Sequence, residues 1–233
     1  MEPGLANSLQ DKCKCLHLGF NNLQYDYFLG DDLIDTTRVE KDLGIQISDT
    51  LKPKEHIAYI TKKANMVLGC INRTYTDKSR KNMLPLYKTL VRLLIEYCQQ
   101  VWSPYLIKDI QKVEKVQRRF TKMVSGMKNL TYSQRLERLD LLSLEKRRKR
   151  ADLIETYKIH TGATRIDRDK MFQVSTHTRT RGHSLKHQKQ HTRLDIRKHF
   201  FTQRVNNPWN ELNKNAIAAK DVNQFKTAIN QLF

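Results

Sequence analysis

The hydrophobic period of the chain changes once, at Pro53, and that change limits what each side of it can become. Upstream, apolar residues recur at every second position: Leu16, Leu18 and Phe20, then Tyr25, Tyr27 and Leu29 beyond the turn pair Asn21-Asn22, then Leu43, Ile45 and Ile47. A period of two places alternate side chains on one face of a strand, so residues 1–50 read as a small antiparallel meander of three or four short strands. A sheet of that size is marginal alone and needs a surface to pack on. Downstream, Ile57, Ile60, Ala64, Val67, Leu68 and Ile71 follow the spacing of one helical face, with Pro53 where a first turn tolerates proline.

The same helical period predicts a second helix over about 79–100, carrying Leu84, Tyr87, Leu90, Val91, Leu94, Cys98 and Val101 on one face. Trp102-Ser103-Pro104 ends it, because the residue before a proline is pushed out of the helical region. A third is predicted over 108–127 on Ile110, Val113, Val116, Phe120, Met123 and Met127, a short one over 132–139, and a longer one over 143–160 that stops at Gly162. Ser143 with Lys146 gives that last helix half a capping box. Residues 163–192, rich in Thr, His, Arg and Lys, read as a loop or as a segment that orders on a partner. Order returns at 194–205, at Trp209, and in a short final helix carrying Val222, Phe225, Ile229 and Leu232. The predicted fold is mainly α: a helical bundle preceded by a small antiparallel β-meander, α+β overall. It divides into 1–50, 51–162 and 163–233.

Charge separates the same parts. The 233 residues carry a formal net charge of +19 with histidine neutral. Residues 1–50 hold 4 basic and 9 acidic side chains, residues 51–150 hold 24 and 8, and residues 151–233 hold 15 and 7. An acidic first part followed by a strongly basic body points to a polyanionic partner, most simply nucleic acid. With 39% hydrophobic residues the chain has enough apolar content for a core, which excludes full disorder. Four cysteines (Cys13, Cys15, Cys70 and Cys98) and no N-terminal apolar run suited to a signal peptide imply an intracellular, reducing setting, cytoplasmic or nuclear. No apolar run reaches the 18 or so residues of a membrane span, so no membrane partner is expected.

Three constellations invite a catalytic or metal reading and none carries it. Phe28-Leu29-Gly30-Asp31-Asp32 looks like a damaged version of the aromatic-x-Asp-Asp turn that holds two metals in polymerases. A two-metal site also needs a carboxylate from an earlier strand, and Asp-Asp after Gly is ordinary turn chemistry. Cys13, Cys15 and His17 share one strand face but have no fourth ligand in view. His183, His187 and His191 are four apart, yet Arg179, Arg181, Lys186, Lys189 and Arg193 around them would repel a cation and favour a phosphate-facing loop. No P-loop, dinucleotide fingerprint, nucleophile elbow or His-Glu-x-x-His motif occurs. The informative pattern is the basic one. Lys62, Lys63 and Arg73 fall largely off the apolar stripe of the first helix, as do Lys112, Lys115, Arg118, Arg119 and Lys122 of the third, and Arg147-Arg148-Lys149-Arg150 is a pure run. A merely solvated face would mix signs.

Several ordered motifs carry a family resemblance. Val39-Glu40-Lys41-Asp42-Leu43-Gly44-Ile45, His56-Ile57, Lys62-Lys63-Ala64, Leu68-Gly69, Leu86-Tyr87-Lys88, Glu96-Tyr97-Cys98 and Val101-Trp102-Ser103-Pro104 come first. Glu114-Lys115-Val116-Gln117-Arg118-Arg119-Phe120-Thr121, Arg147-Arg148, Thr180-Arg181-Gly182-His183, Phe200-Phe201-x-x-Arg204-Val205 and Trp209-Asn210 follow. From about residue 11 to its end the chain resembles the C-terminal part of a non-LTR (LINE-type, jockey-like) retrotransposon reverse transcriptase: the end of the palm, the thumb and a distal basic segment.

The resemblance implies that Lys12 to Gly19 is the last palm strand region and that Leu43, Gly44 and Ile45 form a primer-grip-like hairpin. It implies that 51–162 is a helical thumb-like domain tracking a template–primer duplex, and that 163–233 helps hold RNA or DNA. The expected nucleic-acid-binding residues are Lys62, Lys63, Arg73, Lys115, Arg118, Arg119, Lys122, Arg147, Arg148, Arg181, His183 and Arg204. The family's fingers, its metal-binding aspartates and their palm strands lie upstream of the matching region. The expectation is a truncated reverse-transcriptase (RNA-directed DNA polymerase) fragment that binds nucleic acid, is inactive alone and has no cofactor in this chain, Mg2+ belonging to the absent palm. The missing portion of the polymerase is a further expected partner. Without the other palm strands, the apolar side of Leu16, Leu18, Leu43 and Ile45 should lie uncovered. An alternative is a domesticated basic adaptor that binds proteins through that exposed sheet.

Overall fold

The computed structural model describes residues 13–175 and 182–233. Its architecture is mainly α with a small β portion at the start, as the change of period at Pro53 predicts. Of the positions singled out above, Lys12, Arg179, Thr180 and Arg181 lie outside the described residues.

The β portion is not the expected meander. It consists of three separate two-stranded ladders: β1 (Cys15–Leu16) with β4 (Thr36–Thr37), β2 (Phe28–Leu29) with β3 (Asp32–Leu33), and β5 (Val39–Asp42) with β6 (Ile45–Ser48). β1 runs parallel to β4, with Cys15 opposite Thr36, instead of pairing with its sequence neighbour. Alternation specifies a strand only where one face is covered. Phe20 is 89% exposed, and Leu23, Tyr25, Tyr27 and Phe28 are exposed with it, so nothing fixes a register there. The β5–β6 hairpin does have cover. Ile45 is buried in the helical core and Ile47 packs against it. Its two-residue turn, Leu43-Gly44, has φ +45° and +87°, the doubly left-handed turn that matches the twist of paired strands and is cheap at glycine. The uncovered apolar side is therefore Leu18 and Leu43, while Ile45 is enclosed.

Helix α1 (Lys54–Thr74) buries Ile57, Ile60, Ala64, Leu68 and Ile71 on the predicted stripe. The predicted second helix is broken into pieces. After α2 (Arg80–Leu86), Pro85 lacks the N–H that would continue the ladder, and a wider π turn follows over Tyr87–Val91, in which the Arg92 N–H reaches back to the Tyr87 carbonyl at 2.8 Å. Met83, Tyr87, Val91 and Ile95, four apart, become the buried line, and Leu90 and Val101 of the predicted stripe are exposed. Cys98, at φ +46°, ends the run before the single turn Gln99–Trp102.

Helix α3 (Ile107–Met123) buries Val113, Val116 and Phe120 and stops at an extended Val124. Helix α4 (Tyr132–Leu139) is started by a full capping box between Thr131 and Gln134. Helix α5 (Leu144–His160) begins with the Ser143 hydroxyl accepting from the Lys146 N–H at 3.2 Å. α5 joins two cores. Leu144 closes the first, which runs from Ile45 through the helices, and Leu153, Ile154, Tyr157 and Ile159 open a second with Phe172, Phe201, Val205, Trp209 and, from helix α6 (Val222–Ile229), Phe225 and Ile229. The cores thus meet inside α5, upstream of residue 162, and the β5–β6 hairpin belongs to the first.

The histidine-rich stretch is not a free loop. His183 and His187 are buried against Trp209, whose indole N–H donates to the Leu185 carbonyl at 2.7 Å. Asn210 accepts from the His187 N–H and donates to its carbonyl, at 2.7 and 2.9 Å.

Candidate nucleic-acid interface

The outer face of α3 is charged in one sign. Its two acids are turned inward: Asp109 and Glu114 are both buried. What remains outside is Lys108, Lys112, Lys115, Arg118, Arg119 and Lys122, along a helix of roughly 25 Å. None of these cations takes part in an ion pair among the described residues.

The face is held by a buried polar network. Gln117 accepts from the Tyr87 hydroxyl at 2.7 Å and donates to the Leu142 carbonyl at 2.9 Å and to the Tyr132 oxygen at 3.0 Å. Tyr132 donates to Glu114, whose carboxylate also accepts from the Leu144 N–H at the start of α5. Burial and the adjacent Glu114 carboxylate push the Tyr132 hydroxyl far above its ordinary pKa, which keeps it a donor. The network bonds π turn, α3, α4 and α5 into one rigid support. Above it, the Arg118 guanidinium lies 4.3 Å from the centre of the Tyr132 ring.

α1 extends the face sideways. Arg119 donates to Asn65 Oδ1 at 2.9 Å, joining the two helices at the surface, and Lys62 and Arg73 are exposed on the same outward side of α1 as Asn65. Beyond Glu55, α1 contains no acid. Lys63 points the other way, its ammonium 6.0 Å from the Tyr59 ring, as is that of Lys41 on the hairpin. These rings and lysines border a cavity of about 360 Å³ shared with Leu43 and Gly44.

Seven of the twelve expected binding residues (Lys62, Lys63, Arg73, Lys115, Arg118, Arg119 and Lys122) are thus exposed on α1 and α3. Four others are placed in internal roles, which corrects their assignment to an outer phosphate surface. Arg147 makes a two-point pair with Glu96, one arm at 2.8 Å. Arg204 grips Asp152 at 2.8 and 2.9 Å and also donates to the carbonyls of His199 and Gln100, tying the tail to α5 and to the 99–102 turn. His183 donates from Nε2 to the Trp209 carbonyl at 2.9 Å. Arg148 is buried. A basic run on a helix that serves two cores must turn some cations inward, and residue type alone does not say which.

The Cys15 Sγ lies 3.6 Å from His17 Nε2, and no group of three His, Cys, Asp or Glu side chains converges on a metal-sized position among the described residues. No helix among them is long and apolar enough to cross a membrane. Comparisons with protein-family models, curated proteins and solved structures gave no match.

Proposed function

We propose that this chain binds a nucleic-acid duplex of the template–primer type through phosphate contacts on α1 and α3, and that it derives from a reverse transcriptase of the non-LTR retrotransposon class. The observation that carries the proposal is the sign-pure outer face of α3, whose cations have no acidic partners and whose backing is a fixed polar network. Phosphates spaced along a duplex offer such a rail the counter-charges that the protein does not supply. The β5–β6 hairpin, packed on α1 and clamped where the Tyr97 hydroxyl donates to the Leu43 carbonyl at 3.1 Å, supports reading Leu43, Gly44 and Ile45 as a primer-grip-like element. Polymerisation is not part of the proposed activity.

The test is fluorescence anisotropy with an RNA–DNA hybrid at fixed low salt. The K115E/R119E/K122E variant is expected to lose roughly a hundredfold or more in affinity, while E145Q on α5 stays within about twofold. Equal affinity of the triple variant and the wild type would overturn the reading. The second reading, a protein-binding adaptor, rests on the exposed apolar residues between Leu18 and Leu33 and predicts partner binding that is insensitive to salt.

A further inference from the structure

Between the β5–β6 hairpin and the returning tail lies a cavity of about 320 Å³, walled mainly by apolar side chains. Ile47 comes from the hairpin, Val101 from the single turn after Cys98, and His199 and Phe200 from the tail. Val101 is 61% and Phe200 47% exposed, so the cavity opens to solvent between them. The rings of Tyr105 and His199, parallel and 4.4 Å apart, form one wall. Burial, with Lys198 beside it, lowers the His199 pKa from its ordinary value, so at pH 7 that wall is flat and uncharged. Ligand cavities run from about 300 to 1,000 Å³, and a space at the small end of that range has room for a compact ring system and not for a long chain. A ring entering beside Phe200 and the stack gains edge or offset contacts beyond its buried area.

The charges of the lining have one sign. They are Lys52 and Arg197, and no carboxylate lines the cavity. Both cations are exposed, so a ligand can reach them, and neither takes part in an ion pair among the described residues. The Arg197 guanidinium lies 5.4 Å from the centre of the Phe200 ring, which sets its charge beside the apolar wall. The carboxylates that act on the Tyr105–His199 stack, Asp195 and Asp109, are not part of the lining. A cationic ligand is repelled there, and a neutral ring leaves both charges to water. An aromatic anion uses the walls and the charges together.

We propose that this cavity binds a small aromatic carboxylate, its ring against Phe200 and the Tyr105–His199 stack and its carboxylate at Arg197 and Lys52. The site is separate from the α1–α3 face and does not rest on duplex binding.

Isothermal titration calorimetry of the full chain with 2-naphthoate and its neutral isostere 2-naphthamide tests it. The carboxylate is expected to bind about threefold to tenfold tighter than the amide, the gain that two exposed charges supply. Val101→Trp, at an exposed position that leaves the core untouched, fills the cavity and should weaken both ligands roughly tenfold or more. Arg197→Met and Lys52→Met should each weaken the carboxylate about threefold and leave the amide unchanged. K115E/R119E/K122E should bind 2-naphthoate as the wild type does, so a failure of the duplex reading leaves these titrations unaffected. The capped tripeptide acetyl-Glu-Phe-Glu-amide should bind more weakly than 2-naphthoate. Tighter binding of the peptide, equal affinity of carboxylate and amide, or a Val101→Trp variant that binds like the wild type would overturn the proposal. So would loss of 2-naphthoate binding in the triple variant, or its absence from the wild type at millimolar ligand.

Discussion

At the scale of single residues, arginines of one sequence type perform two different tasks. Arg119 reaches across the surface to Asn65 and leaves its charge outside, whereas Arg204 is enclosed with Asp152 and fastens three chain segments. Removing one partner from an enclosed pair strands the other charge, so Arg204→Met is expected to cost about 3–5 kcal/mol. Lys115→Ala, on the open face, should stay within about 0.5 kcal/mol. Urea denaturation of both variants measures the contrast, and equal costs would contradict the division of roles. Glycine in the hairpin turn gives a second test. Gly44→Ala must hold φ near +87° with Tyr97 Cε1 at 3.5 Å from the new methyl, and is expected to lose about 1 kcal/mol.

At the scale of elements, histidines tie the second core to proton activity. His187 Nδ1 bonds Asn206 Oδ1 at 2.8 Å, which makes that nitrogen the donor and leaves Nε2 to accept from His160 Nε2 at 2.7 Å. The two rings stack between Phe172 and Trp209. Burial lowers both to about 4, helped at His160 by Arg168 and His183 against Asp169, and burial likewise lowers His56 to about 4. For a base held below its unfolded value near 6.5, the unfolded chain binds more protons in between. Stability is therefore fully present above about pH 6.5 and is lost as pH falls toward 4. Unfolding midpoints should drop between pH 7 and pH 5, and less so in His160→Gln; a flat profile would contradict the neutral pair. Legibility in the sequence was uneven for related reasons. α1 and α3 were readable because their apolar stripes face one continuous core, and α5, which serves two, was bounded in sequence by Ser143 and Gly162. The π turn was not, since it arises from Pro85 and a register shift that a 3.6 period cannot express. Nor was the burial of His183 and His187, which rests on hydrogen bonds to Trp209 and Asn210 from a stretch with no hydrophobic period.

At the scale of the whole molecule, the net charge of +19 resolves into an inward and an outward portion. Arg147 and Arg204 are neutralised within the fold and Arg148 is buried, so the number of lysines and arginines overstates the surface open to a polyanion. The exposed cations of α1 and α3 were foreseeable as off-stripe positions, but the inward turn of Asp109 and Glu114 that leaves α3 without an outward acid was visible only in three dimensions. The central claim is that this face binds a duplex by displacing counterions. It is tested most directly by the affinity for an RNA–DNA hybrid between 50 and 200 mM salt. About six neutralised phosphates predict a slope of log Kobs against log salt near −5, falling toward −2 in K115E/R119E/K122E. A slope near zero, or one that the triple variant leaves unchanged, would contradict the account.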